Sequence, residues 1–117
     1  MVDLPNIAEE CARIAAAHGF HDKPRTIGEA AMLITTEVSE FYEAWRCGRA
    51  RPATPTEVSN EKLRTAHMLE ELADIIIRVC DTAVYDLGVT GELLTLTVLD
   101  KMQQNRNRPM MHGGKEQ

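Results

Sequence analysis

Four carboxylates fall into two pairs with one helical turn between partners: Glu37 and Glu40 in "ITTEVSEFYEAW", an ExxE, and Glu71 and Asp74 in "EELADIIIR", an ExxD. Acidic side chains at i and i+3 of a helix sit about 5–6 Å apart at Cβ and repel one another, and burial adds a desolvation penalty. If both pairs converge, four negative charges in one pocket cannot all stay ionised without cations. An all-oxygen ligand set with no Cys or His selects a hard ion, Mg²⁺ or Mn²⁺, over zinc. Di-iron bundle proteins also point glutamates inward, but they add Glu-x-x-His pairs, and no ExxH occurs in this chain.

At about 100° per residue, Ala30, Ile34, Phe41 and Trp45 share one helix face, flanked by Leu33 and Ala44. Glu37 falls inside that face, Glu40 lies at its edge, and Glu43 projects to the polar side with Thr36. The second pair is less clearly placed. Its helix has a very wide apolar arc, and Glu71, Asp74, Arg78 and His67 share the narrow polar strip that remains. One reading of that strip is a solvated stripe in which Asp74 pairs with Arg78 at i+4; the other is a face that meets Glu37 and Glu40 across an antiparallel helix pair.

Lys101, Asn105 and Arg108, at i, i+4 and i+7, form a basic row beside Leu94 and Val98, a placement that predicts a position near the core. A lysine and an arginine flanking an amide suit polyphosphate oxygens. Cations near a helix C-terminus are also favoured by its dipole alone. Trp45 is expected in the core. His18, His21, His67 and His112 show no ligand spacing and receive no role, and Arg46, Arg49 and Arg51 read as a charged loop exit.

The elements that position these residues are helices. Asn6 with Glu9 resembles a capping box for a first helix through Ile7, Cys11, Ile14 and His18, stopping at Gly19. Thr26 with Glu29 opens a second, running to about Arg46 and ending near Gly48. "GRARPATPTEVSN" reads as a surface loop. A third helix spans about Lys62 to Leu87 with Gly88 as its stop, and a fourth runs from about Glu92 to Asn107 before Pro109. Residues from about 109 to 117 are expected to form a flexible tail. Four amphipathic helices with short connections predict an all-α, four-helix bundle-like single domain over 1–117.

Composition agrees. Aromatic residues make up 4% of the 117, so the core must come from aliphatic and small side chains, which favours helices. A formal charge of −5 argues against a nucleic-acid surface. Three cysteines without CxxC spacing and no targeting segment point to a reducing, cytoplasmic setting, and no apolar run has the length for a membrane span.

"TEVSEFYEAWR", "EELADIIIRVCD" and "KMQQNRNRPMMHGGK", in this order, resemble the MazG-like nucleotide pyrophosphohydrolases of the all-α NTP pyrophosphatase superfamily, over roughly residues 6 to 115. The resemblance implies that Glu37, Glu40, Glu71 and Asp74 bind Mg²⁺, and that Lys101, Asn105 and Arg108 lie near the phosphates of a nucleoside triphosphate cleaved to monophosphate and pyrophosphate. It also implies a homodimer or homotetramer, with the wide apolar arc of the third helix buried between chains. The dimeric dUTPase branch resembles EExxE at the first motif, whereas Thr36 precedes Glu37 here. A phosphoribosyl-ATP pyrophosphatase-like activity and a non-catalytic helical interaction module are the alternatives.

Overall fold

The computed structural model describes residues 3–47 and 57–109, and among them all regular structure is helical. The predicted loop at 48–60 is shorter than expected, since 57–60 already belong to a helix; its residues 48–56, and 110–117 of the expected tail, lie outside the described residues. Helix α1 spans Leu4–Ala17, α2 Ile27–Cys47, α3 Glu57–Asp81 and α4 Gly91–Arg106, with a π-helical turn, Thr82–Asp86, continuing α3. No helix among the described residues is long and apolar enough to cross a membrane.

Local chemistry explains most boundaries. The capping box of α2 forms as expected: Glu29 N–H donates to Thr26 Oγ1 at 3.0 Å, and Thr26 N–H donates to Glu29 Oε1 at 2.9 Å. Helix α4 is capped by Thr90, whose hydroxyl accepts from Leu93 N–H. Helix α1 departs from expectation, because Asp3 is its cap and accepts from Asn6 N–H, with Pro5 tolerated in the first turn. Glu9 is thereby released from the capping box. It accepts instead from Gly91 N–H at 3.0 Å, serving the first turn of α4 from a distant part of the chain.

Helix α3 begins earlier than Lys62, and its regular winding ends at Asp81 rather than Leu87. From Thr82 the bonding shifts to i→i+5, with Leu87 N–H donating to the Thr82 carbonyl at 3.0 Å. In this wider winding, residues five apart come over one another, which puts Asp81 and Asp86 on the same side. Gly88 then ends the element at φ +68°, a conformation that penalises any Cβ-bearing residue.

The pairs Trp45 with Arg64, Glu37 with Arg78, and Arg25 with Asp81 and Asp86 show α2 and α3 running antiparallel. Helix α1 packs on α3 and α4 through a small core of Ala8, Cys11 and Cys80, joined by Leu4, Val84 and Leu94. Burial raises the thiol pKa of Cys80 to about 11 and pushes that of Cys11 upward too, so both remain protonated in this core. Among the described residues the fully buried apolar side chains are all Ala or Cys, while many large ones on α3 and α4 remain exposed. Leu69, Leu72, Ile76 and Val79 form such a row along one side of α3, and Leu93, Leu96, Leu99 and Met102 are exposed on α4.

Candidate metal centre

Antiparallel pairing of α2 and α3 brings the two acidic motifs to the same level. One carboxylate oxygen each from Glu37, Glu71 and Asp74 lies within 4.8 Å of the others. Glu37 arrives there because it sits on the apolar face of α2, between buried Ala30 and Ala44, and that face is what α3 covers. Its side chain is only 12% exposed and that of Glu71 15%. The polar strip of α3 therefore faces a second helix, and the solvated-stripe reading gives way.

Two oxygens in this group, Glu37 Oε2 and Glu71 Oε2, are buried and have no hydrogen-bond partner. Orphaned carboxylate oxygens at one focus are costly unless a cation completes them, so the residues fit a divalent ion on their own geometry. The donor set, all carboxylate, matches a hard ion. His67 approaches Glu71 at 3.8 Å and Glu70 at 3.9 Å, beyond hydrogen-bonding range in both cases.

Glu40 is exposed at the rim, as its edge position on α2 predicts. The negative charge of nearby Glu37 raises its pKa above the ordinary carboxylate value, and some desolvation and the charges of Glu71 and Asp74 push the same way. The rim opens into a cleft of about 310 Å³ between three helices: Cys11 and Ile14 of α1, Glu37 and Glu40 of α2, Asp74 and Arg78 of α3, with Phe20 at one edge.

Several expected placements change. Arg78 does not pair with Asp74 along α3; its Nε donates across the helix interface to Glu37 Oε1 at 3.3 Å. Trp45 is 38% exposed rather than core, because the side chain opposite it on α3 is Arg64, whose guanidinium carbon lies 5.6 Å from the ring centroid. The basic row of Lys101, Asn105 and Arg108 is exposed rather than near the core. Helix α4 packs on α1 and the π-helical turn, which leaves this row outside the acidic cleft of the single chain; among the described residues Lys101 Nζ reaches only Gln104, at 3.5 Å.

Local spacing does not reveal a second polar cluster behind the cleft. His21 Nε2 and Asp81 Oδ1 are 2.8 Å apart, Arg25 bridges Asp81 and Asp86, and the Tyr85 ring stacks on His21 with centroids 3.4 Å apart. Both aspartates are 3% exposed at the side chain. The bond to Asp86 is the largest influence raising the already high pKa of Arg25, so its charge is secure. Asp81 also lines the cleft, so the network stands directly behind it. "HDKPR" followed by two aspartates five apart is the only sequence trace of this arrangement.

No protein-family model matches the chain, and no curated protein or solved structure matches it either.

Proposed function

We propose that the chain is a Mg²⁺-dependent nucleoside triphosphate pyrophosphohydrolase of the MazG-like type, converting a (d)NTP and water to the (d)NMP and pyrophosphate. The observation that carries this reading is the convergence of Glu37, Glu71 and Asp74 from two helices, with two buried oxygens lacking partners. These residues would hold the cation, with Glu40 beside them at the rim. Mn²⁺ is the expected substitute. When bound, the ion supplies charge neutralisation for the triphosphate and an acidified water.

Glu40 is the acceptor for the attacking water's proton, since it lies outside the tight group of three and its neighbours raise its proton affinity. Attack at the α-phosphorus forms the new P–O bond, the bond to the bridging oxygen breaks in line, and the electron pair leaves with pyrophosphate. Such a reaction fits removal of surplus or damaged nucleotides in the cytoplasm. Homo-oligomerisation belongs to the same reading: Leu69, Leu72, Ile76 and Val79 form an uncovered apolar row on α3, of the kind a second copy covers in a symmetric assembly. Lys101, Asn105 and Arg108, exposed on α4, would then serve the triphosphate in the assembled protein rather than in the isolated chain.

A dNTP panel assayed with Mg²⁺ for pyrophosphate release, against an EDTA control and the Glu37→Gln variant, tests the proposal. Metal-dependent release lost in the variant is the expected result. No release across canonical and modified nucleotides would leave a helical interaction module as the better reading.

A further inference from the structure

Arg78 stands one helical turn after Asp74, lines the acidic cleft with Glu37, Glu40 and Asp74, and pairs with Glu37 at 3.3 Å. Among the described residues only its Nε is engaged. Nε donates to Glu37, while among the described residues the two terminal amino nitrogens meet no hydrogen-bond acceptor, and neither is a buried orphan. The guanidinium carbon lies 5.6 Å from the centroid of the Phe20 ring, so the group is held at its stem and on one face. What stays uncommitted is the pair of nitrogens whose geometry matches two oxygens of a phosphate.

We propose that Arg78 is the anion-binding residue of this cleft, taking phosphate oxygens of a metal-bound polyphosphate with its terminal amino groups while Nε keeps Glu37 among the carboxylates. This role rests on the metal-centre reading above. It differs from simple structural support in the sign of two effects. A guanidinium beside the ligands repels a bare divalent cation, but it attracts the metal–polyphosphate complex, whose phosphate oxygens make the net charge negative. Removing Arg78 therefore strengthens binding of the metal alone and weakens binding of the metal–polyphosphate complex. A residue that only positioned Glu37 would weaken both on removal.

The test uses the full chain as wild type, Arg78→Gln and Arg78→Lys, with Mn²⁺ binding followed by electron paramagnetic resonance and Mg²⁺–tripolyphosphate binding by calorimetry. In Arg78→Gln, Mn²⁺ should bind about three- to tenfold more tightly. Mg²⁺–tripolyphosphate should bind about tenfold or more weakly. Arg78→Lys keeps the charge without the fork, so it should hold Mn²⁺ like the wild type and still lose most of the tripolyphosphate affinity. Parallel weakening of both ligands, or no change in either, overturns the proposal while leaving the metal centre intact. Wild-type protein that binds no Mn²⁺ overturns the metal centre, and this role with it. Should circular dichroism show Arg78→Gln unfolded, Arg78→Lys decides alone: tripolyphosphate affinity within about twofold of wild type refutes the role.

Discussion

Replacing Glu71 by Gln should stabilise the protein in EDTA and make it much less responsive to magnesium. The oxygens of Glu37, Glu71 and Asp74 lie within 4.8 Å of one another, so Glu71 faces two like charges at close range. Each such pair repels by about 0.9 kcal/mol in bulk water and by about 3.5 kcal/mol at an effective dielectric of 20. The cleft is open, and Arg78 already offsets part of the charge, so the lower end applies and relief of about 1–2 kcal/mol is expected. Unfolding entropy of about 2.1 cal/mol/K per residue over 117 residues converts this to a rise in Tm of about 4–8 °C. The assay is a calorimetric melt, first in EDTA and then in excess Mg²⁺. Magnesium at a hundred times its Kd adds about 2.7 kcal/mol to the wild type, or about 11 °C, and much less to a variant lacking one ligand. The order of the two melting temperatures should thus reverse between conditions. A variant that melts below the wild type in EDTA would refute the reasoning, since it would show that the Glu71 carboxylate gains more from His67, 3.8 Å away, than it loses to its neighbours.

Arg25→Met should leave Asp81 and Asp86 buried without their shared cation, at a cost of about 3–5 kcal/mol, and lower Tm by about 12–20 °C. A fall of only a few degrees would mean that the aspartates find other partners. Gly91→Ala directs a Cβ onto the Pro5 carbonyl oxygen, backbone that cannot swing aside, so α1 and α4 must separate at a cost of about 1–3 kcal/mol; urea unfolding should reveal it. Glu40 binds its proton more tightly in the folded, cation-free protein than in the unfolded chain, so its contribution to stability is present at acid pH and lost as pH rises through its raised pKa. Unfolding curves collected across that range should show this decline in the wild type, and Glu40→Gln should remove it.

The helices were legible because their signals are local. Thr26 and Glu29 satisfy each other's backbone whatever the rest of the chain does, and Gly88 stops its element through its own φ. The Asn6 and Glu9 pair has the same spacing yet failed as a cap, because Asp3 was an equally good acceptor one turn earlier and Glu9 had a distant donor in Gly91. Trp45 failed similarly: its position on the wheel is inward, but burial depends on the opposing side chain, here Arg64.

Residue types and spacing alone determined that the chain is helical, that Glu37 lies on an apolar face, and that the acids come in pairs one turn apart. Tertiary structure decided which acids meet, that Arg78 answers to Glu37 rather than Asp74, and that His21 and Arg25 close on aspartates 56 to 61 residues away. The reason is physical: spacing along a helix fixes directions around its own axis, but a partner is chosen by the register of an antiparallel pair. The wide apolar arc of α3 admits several registers, and a π-helical turn that no local signal announces sets the last of these contacts.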